Sequence, residues 1–394
     1  MSRLNNRPAQ LLALLLALLT LCACAPQAAP EPSDTQPSPV EEQDVTWNTL
    51  EFDHSMELLY AEQFSVDYYQ GGYEKITIAG TDEFLVVPEG AQVPSGLPAQ
   101  VAVLQQPLDR IYLVATATMD LFRELDAIDH IRLSGLDADG WYIEEAKQAL
   151  EDGRMLYAGK YSAPDYERIL EEGCDLSVQS TMIYHTPEVK EQLERFGIPV
   201  LVERSSYESH PLARMEWIKL FAALLNKEDS AEAYFDEQME TLTPILEQEN
   251  TGKTVAFFYV TSAGAVSVRK SGDYIAKAIG LAGGVYVPRD LSSEENALST
   301  MTIQMESFYA GARDADVLIY NSSIDAELYT IDDLLAKSDL FKNFKAVQDG
   351  NVWCTGKNLY QESLGVGDLM ADLNAILTAE DPGSLELTYL HRLT

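Results

Sequence analysis

Cysteine, histidine and basic residues are all scarce in this chain. Four cysteines occur in 394 residues, and 27 Lys+Arg stand against 63 Asp+Glu, a formal net charge of −36. Only Cys174 and Cys354 lie in the body of the chain. They make no disulfide framework, and each sits beside an apolar run, where an inert buried thiol is expected. A balance this acidic argues against nucleic-acid binding, which needs a basic face, and against charge-driven binding to anionic lipid. The five histidines (54, 130, 185, 210 and 391) show no H-x-H or H-x-x-x-H spacing, so no metal bound directly by protein is expected. No apolar run reaches the ~20 residues of a membrane span. Walker A, G-x-G-x-x-G after a strand, G-x-S-x-G and H-E-x-x-H are all missing, so neither an enzyme nor a resident cofactor is expected. With 46% hydrophobic residues, the chain is nevertheless not disordered.

The first residues read as an export signal. Arg3 and Arg7 precede the apolar run 11–21 (LLALLLALLTL), the n-region and h-region of a secretory leader. The run ends in Leu21-Cys22-Ala23-Cys24, which resembles the bacterial lipoprotein lipobox, with Leu three before the Cys and a small residue just before it. The resemblance implies a signal peptide over 1–23, cleavage before Cys24 and lipid on its thiol. Residues 24–45 contain Pro26, Pro30, Pro32, Pro37 and Pro39 and read as a semi-rigid tether.

The body reads as two similar halves after a lead-in. Residues 46–100 hold two strand-like runs, 73–78 and 84–87, around the hairpin signal Gly80-Thr81-Asp82. A strand–helix rhythm then gives a first α/β lobe over 101–210, with strands expected at 110–115, 131–134, 175–179 and 198–202. A second lobe over 250–394 has strands expected at 254–260, 315–320 and 351–354. Between them, 211–249 shows only helical periodicity: Pro211 opens one helix and Ser230 caps a second. The fold class is therefore α/β, two lobes with mostly parallel sheets flanked by helices, joined by a rigid backbone helix.

Several segments resemble the substrate-binding lipoproteins of ABC transporters for iron-siderophores, haem and cobalamin, the class III periplasmic binding proteins. They are Arg110-Ile-Tyr-Leu-Val-Ala-Thr-Ala-Thr118, Pro164-Asp-Tyr-Glu-Arg-Ile-Leu170 with Cys174-Asp-Leu-Ser-Val178, Leu193-Glu-Arg-Phe-Gly-Ile-Pro-Val200, Ile279-Gly-Leu-Ala-Gly-Gly284 and Ala346-Val-Gln-Asp-Gly-Asn-Val-Trp353. Their order and spacing over about 100–380 carry the resemblance. It implies a monomeric receptor outside the cytoplasm that delivers its solute to an ABC permease and its ATPase. It also implies docking through one Glu per lobe, at Glu167 and Glu306. A Glu in a helix's first turn also suits the helix dipole, so the pattern alone leaves both readings open.

The ligand is expected between the lobes, at the carboxyl ends of the strands. The residues placed there are Thr118, Tyr161, Thr181, Tyr184, Tyr207, Arg214, Trp217, Tyr259, Arg269, Lys357 and Tyr360. Tyrosines offer broad faces to flat ligand parts, and Arg or Lys can pair with negative oxygens. Arg214, Glu216 and Trp217 could line the cleft floor or form a buried ion pair locking the helix to lobe one, and Glu216 is read as structural. An organic metal chelate is the expected cargo. A siderophore ranks first because Arg269, Lys160 and Lys357 can neutralise an anionic chelate; cobalamin and then haem follow. A free-metal receptor, a cell-surface enzyme and an adhesion module are the rival classes.

Overall fold

The computed structural model describes residues 45–289 and 300–394. The expected leader, Cys24 and the tether up to residue 44 lie outside the described residues.

The chain first builds a five-stranded sheet from β1 (Phe52–Ser55), β2 (Phe64–Tyr69), β3 (Tyr73–Ile78), β4 (Asp82–Val87) and β5 (Val101–Gln105), paired in that order. β1 to β4 run antiparallel and β5 joins β4 in parallel. The turn between β3 and β4 needs left-handed backbone, and Ala79 and Gly80 take φ of 50° and 71° there. Alternation puts Phe64, Val66, Ile76, Ile78, Phe84 and Val86 into the main core, while Tyr73, Leu85 and Val87 pack with Trp47 and Leu50 on the other face.

Lobe one follows, with β6 (Ile111–Leu113), α1 (Met119–Glu124), β7 (Ile131–Ser134), α2 (Glu144–Glu151) and β8 (Leu156–Tyr157). After them come the small hairpin β9 (Gly159–Lys160) and β10 (Ala163–Pro164), then α3 (Tyr166–Glu171), β11 (Leu176–Ser180), α4 (Pro187–Arg195) and β12 (Val200–Glu203). Its sheet order is β12-β11-β6-β7-β8, all parallel. Strands of this kind are covered on both faces, hence the near-continuous apolar runs.

The connector is three helices: α5 (Pro211–Glu216), α6 (Ile218–Leu225) and α7 (Glu228–Leu246). Pro211 is the first residue of α5, and the His210 ring accepts from Leu212 N at 3.2 Å. Asn226, left-handed at φ 55° and ψ 46°, ends α6. The second long helix starts at Glu228 behind Lys227, two residues before the expected Ser230 cap.

Lobe two contains β13 (Thr254–Val260), β14 (Val266–Arg269), α8 (Tyr274–Leu281), β15 (Val285–Val287), β16 (Thr300–Ile303), α9 (Met305–Ala312), β17 (Val317–Tyr320), α10 (Ile331–Lys337), α11 (Lys345–Gln348), β18 (Val352–Thr355), α12 (Val366–Thr378) and β19 (Leu390–Arg392). β13, β15, β17 and β18 form its parallel centre; β14, β16 and β19 pair antiparallel at its edges.

Two buried carboxylates hold the first sheet to the connector. Glu216 accepts from the backbone N–H of Leu59, Tyr60 and Ala61, each at 2.8 Å, and from Lys219 Nζ at 3.0 Å. Glu208 accepts from Glu62 N, Gln63 N and Trp217 Nε1 at 3.0, 3.1 and 2.8 Å. Glu216 is structural, but its partners are backbone amides and Lys219, not an ion pair with Arg214.

Candidate functional site

The carboxyl ends of β11, β12, β17 and β18 all open into turns that carry exposed aromatic or apolar side chains. Met182 and Tyr184 follow β11, Tyr207 follows β12, Ile324 follows β17 and Tyr360 follows β18. Exposed large side chains of this kind are costly unless something covers them, and they mark an interaction site when clustered.

Cations are set among these rings. Arg204, the first residue after β12, donates to Tyr184 Oη at 3.3 Å and lies 4.6 Å from the centre of the Tyr207 ring. Arg214 lies 4.2 Å from the centre of the Tyr274 ring, and Arg269 stands 5.8 Å from the same ring. Thus Tyr274, the first residue of α8, carries one guanidinium from the connector and one from lobe two. Each such pair is worth ~0.5–2 kcal/mol, depending on how dry it is.

Arg269 is held by a second layer. Burial opposes its charge, but Asp273, Tyr274 and Tyr286 outweigh that and hold its pKa above the ordinary arginine value. Asp273 Oδ2 is 3.5 Å from Arg269 Nη1, while Asp273 Oδ1 caps α8 by accepting from Ile275 N at 2.9 Å. Tyr286 Oη donates to the Arg269 carbonyl at 2.7 Å. Arg269 and Tyr360 line one depression of about 340 Å³ with Phe257, Tyr274, Asn321 and Ile324.

The lobes touch at a seam beside this depression. Gln361 Nε2 donates to the Gly140 carbonyl at 2.8 Å, and its Oε1 accepts from Tyr142 N at 2.7 Å. Tyr142 and Tyr360 meet edge-to-face with centroids 6.2 Å apart. Further along, Ser363 Oγ donates to the Ala117 carbonyl at 2.8 Å and Asp120 Oδ2 accepts from Leu364 N at 2.9 Å. Lys277 of lobe two also donates to the Ser209 carbonyl.

Of the residues expected at the cleft, Tyr184 and Tyr207 meet through Arg204, Arg214 joins Tyr274, and Arg269 shares a wall with Tyr360. Tyr161, Thr181 and Lys357 lie half-buried on the strand-end turns. Three placements are corrected. Trp217 is fully buried, edge-on to Phe64 with centroids 5.1 Å apart, so it belongs to the core beneath the first sheet. Thr118 is buried beside the lobe seam, its hydroxyl unpartnered. Tyr259 packs on the apolar core of lobe two and does not line the depression. Glu167 and Glu306 are exposed, each the second residue of its helix, α3 and α9. The sequence reading missed Arg204, Tyr274 and Tyr142. Arg204 had a usable signal, since it immediately follows an apolar strand run.

Two α/β lobes with a helical connector and a cleft at the strand ends define a solute-binding protein. The comparisons with known proteins agree. The family model described as periplasmic binding protein matches residues 139–359, more than half of the chain, and the chain belongs to that family. It is a binding protein and not an enzyme, and the family works outside the cytoplasm. The chain is similar to an uncharacterized lipoprotein of Methanocaldococcus jannaschii, 27% identical over 363 residues, covering 87% of this chain and 84% of that protein. The fold is similar to a periplasmic heme binding protein from Pseudomonas aeruginosa, with a TM-score of 0.55, 17% identity, and coverage of 73% of this chain and 98% of that one. It is similar also to an ABC-type Fe3+-hydroxamate transport protein from Saccharomonospora viridis, with a TM-score of 0.53, 18% identity, and coverage of 69% and 94%. Among the described residues no helix is long and apolar enough to cross a membrane.

Proposed function

We propose that the protein is the receptor of an ABC importer, held to the membrane by lipid on Cys24, and that it captures an anionic organic iron chelate, a ferric siderophore, between its lobes. The observation that carries this reading is the placement of cations on aromatic faces in a chain whose net charge is −36: Arg204 on Tyr207 after β12, and Arg214 and Arg269 on Tyr274. A molecule this acidic repels anions at long range, so guanidiniums on these aromatic faces serve local recognition. Arginine pairs with planar, charge-delocalised oxygens in a fixed geometry, and the tyrosines supply contact area for a flat chelate. Similar structures include heme and Fe3+-hydroxamate proteins, which supports the coarser class, an organic iron chelate, and not its charge. Glu167 and Glu306 then face a permease, where rim charges steer association and fix register.

The test is a fluorescence titration that exploits Trp141, which adjoins the seam residue Tyr142. The panel holds ferric catecholates, ferric hydroxamates, cobalamin and haem, each beside its metal-free form and the bare Fe³⁺ or Zn²⁺ ion. Saturable binding of a ferric siderophore with the bare ions silent is expected. Preference for cobalamin or haem reassigns the cargo within the same fold, and binding of a bare ion alone overturns the chelate reading.

A further inference from the structure

The turn after β12 is held from two sides. Within lobe one, Tyr207 N donates to the Arg204 carbonyl at 2.8 Å and Glu208 N to the Ser205 carbonyl at 3.1 Å. This tight turn places the Tyr207 ring 4.6 Å from the Arg204 guanidinium. From the first sheet comes Gln63, the residue just before β2. Its backbone N–H donates to Glu208 Oε1 at 3.1 Å, and its carbonyl accepts from Ala79 N at 2.7 Å, in the turn between β3 and β4. The backbone of Gln63 is thus tied on both sides, and its side chain starts from a fixed point. That side chain reaches lobe one: Gln63 Oε1 accepts from Arg204 Nε at 3.2 Å. β12 lies inside the family match of residues 139–359 and the first sheet lies outside it. The contact therefore joins an added sheet to the carboxyl end of a family strand.

The partners of Arg204 are all uncharged. Nε goes to the Gln63 amide oxygen, Nη1 goes to Tyr184 Oη, and the guanidinium lies by the Tyr207 ring. Among the described residues, no ion pair involves Arg204. Acids outnumber cations by 63 to 27 in this chain, so the neutral surroundings are a property of this turn and not a shortage of carboxylates. A guanidinium has five N–H donors, and two are engaged here. A neutral amide directs the group without cancelling its charge. A carboxylate at position 63 would direct it as well, but would also neutralise it.

Resting on the reading of the cleft as the site of an anionic chelate, we infer that Gln63 is a positioning residue for it. Through Gln63, the first sheet aims Arg204 across the Tyr207 ring and leaves its charge unpaired for an anionic group of the cargo. Fixing a long side chain before the ligand arrives removes part of the ordering cost of binding. The added sheet thereby takes part in recognition through Arg204, without a contact of its own to the ligand.

Wild type is compared with Q63A, Q63E, R204A and Q63A/R204A, and circular dichroism checks that each variant folds. The first readout needs no ligand. Solvent exchange of the Arg204 Nε–H is followed by NMR in arginine-labelled protein, with the signal assigned by its loss in R204A. Exchange is expected to be about fivefold or more faster in Q63A, which loses one hydrogen bond, and to stay slow in Q63E. The second readout is calorimetric titration with a triply anionic ferric catecholate. Affinity is expected to fall about fivefold or more in Q63A and at least as far in Q63E. In the R204A background, Q63A is expected to change affinity by less than about twofold, because the two residues act as one unit. Unchanged exchange in Q63A overturns the inference. So does full affinity in Q63E, or the same loss from Q63A whether Arg204 is present or not. A wild type that does not bind the ferric catecholate overturns the cleft reading, and Gln63's part in recognition with it. Failure of the inference alone shows as a wild type that binds with unchanged exchange in Q63A, so the two failures are distinguishable.

Discussion

Glu216 shows how one side chain can fix the position of a whole sheet. A carboxylate accepting three backbone N–H bonds and a lysine is a strong local arrangement. Replacing it by Ala orphans three buried donors at once. Each buried unsatisfied group costs about 1–3 kcal/mol, so Glu216→Ala is expected to lower stability by roughly 3–5 kcal/mol in urea unfolding, whereas an exposed Glu such as Glu167 changed to Ala shifts it by less than about 0.5 kcal/mol. A similar loss is expected at Gly365 for a steric reason. A Cβ there would lie 2.0 Å from Tyr389 Oη, which itself donates to Glu362 Oε2 at 2.5 Å. Gly365→Ala should therefore displace Tyr389 and destabilise the start of α12, seen as faster hydrogen exchange in that helix. At this scale the sequence was only partly legible. Arg269 and Tyr360 could be placed because both sit at or just after strand ends of lobe two. Trp217 could not, because nothing in its neighbours says that the first sheet closes over it.

At the scale of elements, strongly patterned runs were readable and edges were not. The strand expected at 254–260 agrees with the structure to the residue, since it is apolar with clear flanking signals. β1 has four exposed residues and no alternation to detect. β14, β15 and β16 are short edge or crossover strands, whose pairing depends on the rest of the sheet being present. The turn at Gly80 was legible because the left-handed backbone there has a strong residue preference. The seam made by Gln361 is a property of two distant segments, and no local pattern reports it. It yields its own prediction. Gln361→Ala removes both bonds to the 140–142 segment. The Tyr142 amide should then exchange tenfold or more faster, with the unfolding midpoint little changed, because the bonds lie between lobes and not within either core. Unchanged protection at Tyr142 would show that the seam does not depend on Gln361.

For the whole molecule, two buried carboxylates contribute to the pH dependence of stability. Glu74 is pushed to about 8 and Asp120 to about 7, in both cases chiefly by burial. Their folded-state values lie above the unfolded ones near 4–4.5. The stability they contribute is therefore present below pH ~4 and is lost as pH rises toward 8. The unfolding temperature should fall by several degrees between pH 5.5 and pH 8.5, and E74Q/D120N should flatten that slope. The helical connector also predicts a small change in radius of gyration when a cleft ligand binds, measured by X-ray scattering, since helices hinge less freely than extended linkers.

The most direct test of the account concerns the charge of the cargo. The protein is titrated by calorimetry with a triply anionic ferric catecholate and, separately, with a cationic ferric hydroxamate, at low and high salt, in wild type and in R204A/R269A. The account predicts that the anionic chelate binds at least tenfold tighter, that salt weakens it, and that the arginine variant loses most of the preference while remaining folded. Equal affinity for both chelates, or a preference that survives loss of both arginines, would contradict it.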